Sequence, residues 1–135
     1  MVKRNLKTQR RYVYHSTPAE NLPDILSKGL RLGKGVKETG LDRTGRLYVT
    51  PSLSWLERET STLASLDYPD VKKFAILRFP ASISELVVDE EAEDEQPSYY
   101  IRRSIPPEKI RHIGYYSIVD QPGRIFSGIQ SELLE

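Results

Sequence analysis

The chain of 135 residues contains no cysteine. It therefore cannot form disulfides, thiolate metal sites or a cysteine nucleophile, and we expect no redox chemistry. It also lacks any apolar run near the roughly 18 residues of a membrane span. The basic N-terminus is not followed by the hydrophobic core of a signal peptide. These features predict a cytoplasmic protein with no membrane partner.

Several common site motifs are missing as well. The two histidines, His15 and His112, have no recognisable ligand spacing, so we predict no metal site. His112 falls in a late strand and is interpreted as structural. The sequence has neither a phosphate-binding Walker loop nor a dinucleotide-binding GxGxxG motif. If the protein binds a nucleotide, it uses another arrangement.

Charge is balanced overall but uneven along the chain. A net charge of +1 gives no strong general attraction to nucleic acid or membrane. The first eleven residues nevertheless carry five cations and no acid, whereas residues 89–95 hold six carboxylates. We interpret the basic stretch as a mobile arm and the acidic stretch as a solvated loop.

The length predicts one domain with one sizeable core. We expect a basic flexible arm over residues 1–10, a folded domain over 11–119 and a tail over 120–135. A turn at Pro122-Gly123 opens the tail, which should end in a weak helix or coil. We also expect a monomer.

The first half of the chain alternates between strands and helices. Aromatic and β-branched side chains predict a strand over residues 12–15. A helix of about two turns should start at Asn21 and end at Gly29. Residues 33–45 contain four glycines and little to bury, which predicts a long exposed loop. A strand over 46–50 should then lead into a second helix, opened by Pro51-Ser52, that Trp55 helps to dock.

The second half is mostly strand. The patterns predict strands over residues 72–79, 86–88, 99–103 and 111–119, with Pro106-Pro107 interrupting the ladder before the last one. A chain ordered β, α, β, α and then mostly β is typical of an α+β domain.

Three motifs occur in a characteristic order: Tyr14-His15-Ser16-Thr17, then Leu47-Tyr48-Val49-Thr50-Pro51-Ser52, then Ser98-Tyr99-Tyr100 followed by Ile105-Pro106-Pro107-Glu108-Lys109-Ile110. This succession resembles the small ADP-ribosyltransferases of the histidine-tyrosine-acid type, which include diphtheria-toxin-like and poly(ADP-ribose) polymerase-like folds. The compact rifamycin-inactivating ADP-ribosyltransferases are similar in length and layout. The resemblance covers roughly residues 12–118. It implies a split β-sheet core with two short-to-medium helices.

The resemblance also implies an NAD site, with NAD as the cofactor. His15 matches the histidine that hydrogen-bonds a ribose hydroxyl, and Ser16 and Thr17 would shape that end of the site. Tyr48 matches the tyrosine on which the nicotinamide ring stacks. Residues 33–45 correspond to the loop that covers the dinucleotide.

The resemblance also implies a residue that contacts the pyrophosphate of NAD. Arg43 or Arg46 would meet the pyrophosphate, since a guanidinium suits phosphate oxygens.

Many family members have a glutamate at the head of the strand where this chain has Ser98. We expect Ser98 to contact the cofactor, but a serine supplies no negative charge. In the rifamycin-modifying branch the acid lies earlier, in an acidic segment after a strand. Asp89 is the best match to that acid, and Glu90 and Glu95 remain alternatives.

The predicted function is therefore NAD-dependent mono-ADP-ribosyl transfer to an unidentified acceptor, with release of nicotinamide. His15, Tyr48 and Asp89 are the expected catalytic residues. Two alternatives stay open: a catalytically inactive module that binds NAD or ADP-ribose, and an RNA 2′-phosphotransferase or DNA-modifying toxin of the same broad fold. The acceptor is a protein, a nucleic acid or a small molecule.

Overall fold

A computed structural model shows an α+β protein built mostly from antiparallel sheets. It describes residues 10–31, 46–66, 68, 70–89, 98–119 and 128–134. Within these ranges it contains two α-helices and seven strands. None of the helices it describes is both long and apolar enough to cross a membrane.

The elements follow one another in the order strand, helix, strand, helix and then five strands. They are β1 (Arg10–Pro18), α1 (Leu22–Lys28), β2 (Leu47–Val49), α2 (Leu53–Leu66), β3 (Lys73–Ser82), β4 (Val87–Asp89), β5 (Ser98–Ile101), β6 (Arg111–Val119) and β7 (Gly128–Leu133). In the described part of the chain, single 3-10 turns at Ala19–Asn21, Ile83–Glu85 and Pro107–Lys109 precede α1, β4 and β6.

The strands form two sheets that separate beside β1. One sheet has the order β1-β3-β6-β7 and the other the order β2-β5-β4, and all described pairs are antiparallel. Between the sheets only Tyr14 and Thr50 form a bridge, through backbone N–H to O=C bonds of 2.8 and 3.0 Å, among the residues described. The single bridge leaves the edges of β1 and β2 divergent, so side chains can enter the gap.

Helix α1 begins and ends close to where the sequence predicts. Asn21 precedes it, Pro23 lies in its first turn, where a missing N–H costs nothing, and Ile25 is fully buried. Gly29 ends it with φ 85°, and its N–H donates to the Ile25 carbonyl at 2.7 Å. A Cβ at Gly29 would collide with the carbonyl oxygen of Ile105, so this helix end requires glycine.

Helix α2 covers one face of the four-stranded sheet. It is capped by Ser52, whose Oγ accepts from the backbone N–H of Trp55 at 3.2 Å. Leu56, one turn further, packs against Phe74, Ile76 and other buried side chains of the sheet. The predicted helix after Pro51-Ser52 is confirmed, and Trp55, which we expect to help dock it, is buried.

The opposite face of the four-stranded sheet belongs to a second, larger core. Alternate residues of β1 and β3 meet buried residues of the three-stranded sheet and of α1, because side chains along a strand point to opposite faces in turn. Its members are Val13, Ile25, Leu30, Leu47, Val49, Leu77, Phe79, Ala81, Ile101, Ile105 and Ile110. This core holds the two sheets together on the side where they diverge.

The tail differs from the sequence expectation. Gly128–Leu133 is a strand that pairs with β6 from Gly114↔Leu133 to Val119↔Gly128, so the predicted weak helix or coil is wrong for these residues. The six residues have little apolar alternation, and the pairing edge of β6 supplies the backbone partners that favour the strand. Residues 1–9, the glycine-rich 33–45 and the acidic 90–95 lie outside the described residues.

Candidate functional site

His15 lies near the end of β1, on the face that points into the larger core, and only 5% of it is exposed. Its Nδ1 is 2.7 Å from the backbone carbonyl oxygen of Tyr48, across the gap between the sheets. A carbonyl oxygen can only accept, so Nδ1 carries the proton. In the neutral ring this tautomer makes Nε2 an acceptor.

Tyr48 connects that histidine to an acid. Its hydroxyl donates to Oδ2 of Asp89 at 3.0 Å, although the two residues are 41 positions apart. The central strand β5 explains the approach, since Tyr48 pairs with Tyr100 and Asp89 pairs with Ser98. Positions 98 and 100 of one strand share a face, so the tyrosine and the acid lie on the same side of the sheet.

Two arginines surround this pair and the neighbouring Tyr100. Arg46 Nη1 lies 3.9 Å from Oδ1 of Asp89, an electrostatic contact rather than a close hydrogen bond, and its guanidinium covers the Tyr100 ring at 4.7 Å. Its pKa is raised, first by a hydrogen bond with the Tyr48 side chain and then by the nearby charges, including Asp89. Arg102 donates to the Tyr100 hydroxyl at 3.2 Å. The site is therefore a connected polar cluster.

Asp89 and Ser98, both named from the family resemblance, are direct neighbours in the sheet. Ser98 opens β5, where many members of the resembling family have glutamate, and Asp89 is its partner on the adjacent strand β4. Adjacent strands are about 4.8 Å apart. A carboxylate is therefore present at the level of the strand head, displaced by one strand.

Ser16 and Thr17 have different surroundings from His15. Ser16 lies on the other face of β1, and its Oγ is 2.7 Å from Oγ1 of Thr60 in α2. Because the Thr60 hydroxyl donates to the Leu56 carbonyl at 2.7 Å, Ser16 is the donor in this pair. Thr17 is fully buried and accepts from Nδ2 of Asn21 at 3.3 Å.

The structure therefore brings together His15, Tyr48, Asp89 and Arg46, and it directs Ser16 away from them toward α2. The backbone of Ser98 pairs beside this cluster. Arg43, Glu90 and Glu95, the other residues named for the site, lie outside the described residues. His112 is elsewhere, with its Nε2 donating to the Gly114 carbonyl at 2.9 Å.

Sequence reasoning missed Tyr100 and Arg102. Tyr100 is 5% exposed, its ring centroid is 5.9 Å from that of Tyr48, and it lies between two guanidinium groups. The usable signal was the alternation in β5, which puts position 100 on the same face as the strand head. The pairing of β5 with β2 depends on the fold, so the sequence alone did not connect Tyr100 with Tyr48.

Comparison of the chain with protein-family models, with curated proteins and with solved structures found no match. The interpretation of the cluster therefore depends on its chemistry. A histidine held by the main chain, an aromatic ring and a carboxylate beside a cation can bind a polar ligand and stabilise positive charge on it.

Proposed function

We propose that the protein is an NAD-dependent mono-ADP-ribosyltransferase that releases nicotinamide. The observation that supports this function is the chain of hydrogen bonds from His15 through Tyr48 to Asp89. The His15 ring contacts the Tyr48 main chain, and the Tyr48 hydroxyl contacts Asp89, so three residues separated by long stretches of sequence are connected. They match the residue types expected from the resemblance to the histidine-tyrosine-acid ADP-ribosyltransferases. The acceptor, a cytoplasmic location and a monomeric state stay predictions.

His15 and Tyr48 would position the dinucleotide. The Nδ1–H of His15 is used by the Tyr48 carbonyl, so Nε2, a buried atom, is the ring nitrogen that would accept from a ribose hydroxyl once the dinucleotide opens a path to it. The half-buried ring of Tyr48 would stack on nicotinamide, a contact worth about 1 kcal/mol beyond area burial. Holding the reactive bond in one orientation lowers the barrier without any proton transfer.

Asp89 would carry the chemistry. NAD supplies an activated bond between ribose and nicotinamide, and breaking it builds positive charge on the ribose while neutral nicotinamide leaves. The Asp89 carboxylate would stabilise that charge, as carboxylates do in glycoside hydrolysis. It would then take the proton from the acceptor nucleophile as the new bond to the ribose forms. The Tyr48 hydroxyl would keep the carboxylate oriented.

Arg46 is the described residue that would meet the pyrophosphate. Its guanidinium is already beside the cluster, 3.9 Å from Asp89, and its raised pKa keeps it charged. A planar guanidinium can bind two phosphate oxygens at once.

The test is nicotinamide release from NAD by the purified protein, measured by chromatography for the wild type, Asp89→Asn and the control Asp70→Asn. Asp70 is an exposed aspartate between α2 and β3 and has no part in the cluster. We expect Asp89→Asn to lower release about 100-fold or more, the usual effect of removing an electrostatic stabiliser. Asp70→Asn should behave as the wild type.

The same experiment separates the enzyme from the inactive binding module. Ser98 at the strand head is the specific feature that favours the module, because no carboxylate is present at that position. Tight NAD binding without release by the wild type would establish the module. Equal release by the wild type and Asp89→Asn would remove Asp89 from the mechanism.

A further inference from the structure

A basic pocket of about 480 Å³ lies on the four-stranded sheet. It is lined by Arg11, Tyr12, Arg78, Pro80, Glu108, Lys109 and Arg111. Tyr12 pairs with Pro80 across β1 and β3, and both belong to the face opposite His15 because side chains alternate along a strand. The basic pocket is therefore separate from the candidate NAD site.

The lining of the basic pocket is strongly cationic. Four arginine or lysine side chains face one carboxylate, that of Glu108. Among the residues the structure describes, none of these four cations forms an ion pair with a carboxylate. Elsewhere, Lys28, Arg31 and Arg103 each have an acidic partner within 3.4 Å. An excess of cations in a concave surface attracts and concentrates anions.

Arg78 is the centre of this arrangement. It is half-buried, and its Nε is a buried atom with no hydrogen-bond partner in the described part of the chain. Arg111 pairs directly with it on β6, so two cations occupy adjacent positions of neighbouring strands. Like charges directly opposite each other destabilise a sheet, and an anion bound between them would reverse that cost.

Tyr12 adds an aromatic surface at the same place. It is 53% exposed, which is unusual for so large a ring, and the Arg78 guanidinium lies 4.3 Å from the ring centroid. Arg78 covers one side of the ring, and the exposed part can stack on a planar group. Cations beside exposed aromatic rings are the arrangement by which proteins hold nucleotides, with phosphate on the cations and base on the ring.

We propose that the basic pocket binds a nucleotide unit, with its phosphate between Arg78, Lys109 and Arg111 and its base against Tyr12. Its volume is within the range of roughly 300–1,000 Å³ that small-ligand sites occupy. The nucleotide comes either from a free mononucleotide or from single-stranded nucleic acid. This site does not depend on the proposed transferase activity, because it uses other residues on the other face of β1.

The test measures binding of a fluorescein-labelled single-stranded 12-nucleotide RNA by fluorescence anisotropy at several salt concentrations. Lys109→Gln/Arg111→Gln removes two exposed cations of the pocket. The matched control is Lys28→Gln/Arg31→Gln, which removes two exposed cations at α1. Circular dichroism checks that both variants fold.

We expect the pocket variant to bind about tenfold more weakly and to lower the slope of log K against log salt by roughly 1.4, about 0.7 for each lost phosphate contact. The control should stay within about twofold of the wild type. Tyr12→Leu should weaken binding about threefold or more without changing the slope, since stacking involves no charge.

Unlabelled competitors then identify the source of the nucleotide. Displacement by a 5′-mononucleotide and not by the unphosphorylated nucleoside supports a free nucleotide, and displacement by the unlabelled strand alone supports nucleic acid. Equal losses in the pocket and control variants would overturn the proposal, because the attraction would then be general. Absence of binding by both the strand and the mononucleotide would overturn it as well.

Discussion

The two faces of β1 carry polar regions of opposite kind. On one face His15 joins Tyr48 and Asp89, and each group is bonded to another group of the protein. On the other face the basic pocket groups Arg78, Lys109 and Arg111 beside Tyr12, and none of these three cations has a carboxylate partner among the described residues. The first region is held by hydrogen bonds within the protein, whereas the second carries an excess of cations that would attract an anion from outside.

One strand can therefore contribute to two separate surfaces. Because side chains alternate, neighbouring residues of β1 belong to different chemical environments although they are adjacent in sequence. His15 points to the side of the larger core. Tyr12 and Ser16 point to the other side of the sheet, where Tyr12 lines the basic pocket and Ser16 contacts α2. Substitutions along β1 should therefore affect one region and leave the other unchanged.

After Asp89→Asn, the strongest effect on the His15 side of the comparison should come from Tyr48→Phe, which keeps the ring and removes the hydroxyl that orients Asp89. A hydrogen bond to a charged group is worth about 1.5–3 kcal/mol, so kcat for nicotinamide release should fall about tenfold to a hundredfold. KM for NAD should change little, because the stacking ring remains. Steady-state kinetics separate the two constants.

The opposite change in the two kinetic constants would contradict the role of the Tyr48 hydroxyl in orienting Asp89. A raised KM with an unchanged kcat would mean that the hydroxyl binds NAD and does not orient the acid. The control is Tyr99→Phe, since Tyr99 lies on the other face of β5 and packs against the larger core.

Ser16→Ala tests the division between the two faces of β1. It removes the buried hydrogen bond to Thr60, so the free energy of unfolding should fall by about 1 kcal/mol in urea titrations. The affinity for NAD should stay within about twofold of the wild type. Ser27→Ala, at an exposed position of α1, should change stability by only about a few tenths of a kcal/mol. A clear loss of NAD affinity in Ser16→Ala would put Ser16 in the NAD site.

The smallest effect appears only at high pH and concerns the core under α2. Burial, with help from the charge of Glu57, raises the pKa of Tyr116 to about 12 from its ordinary 10.0. The neutral phenol is thus favoured in the folded protein. The contribution of Tyr116 to the free energy of unfolding is complete below pH 10 and is lost as the pH rises toward 12.

Between pH 10 and pH 11 the free energy of unfolding should fall by about 1 kcal/mol through this group. Tyr116→Phe should therefore show a weaker decline of unfolding free energy between pH 10 and pH 11 than the wild type, in addition to losing the bond to the Leu53 carbonyl. Tyr12→Phe, at an exposed ring, serves as the control. Identical declines in the wild type and Tyr116→Phe would contradict the role of burial.

The local parts of the fold were predictable from the sequence. Helix α1 ends at Gly29 because a positive φ and the nearby Ile105 carbonyl exclude a side chain, and glycine marks such ends directly. β6 has the predicted bounds because alternating apolar residues and the prolines before it are local signals. The α+β class followed from the order of these elements.

The parts that depend on pairing were not predictable in the same way. Strand β7 forms because β6 offers a backbone edge, which its own polar sequence does not indicate. The contact between Tyr48 and Asp89 follows from the shared partner β5, and no local pattern reports that register. The basic pocket likewise gathers residues from β1, β3, the turn before β6 and the first residue of β6.

The most direct test of the central claim is calorimetric titration of NAD into the wild type and His15→Ala. The wild type should bind NAD, and His15→Ala should bind about tenfold or more weakly, because the ring that spans the two sheets would also hold the ribose. The control Asp70→Asn, at an exposed position away from both regions, should bind NAD as the wild type does. An unchanged NAD affinity in His15→Ala would contradict the proposed site.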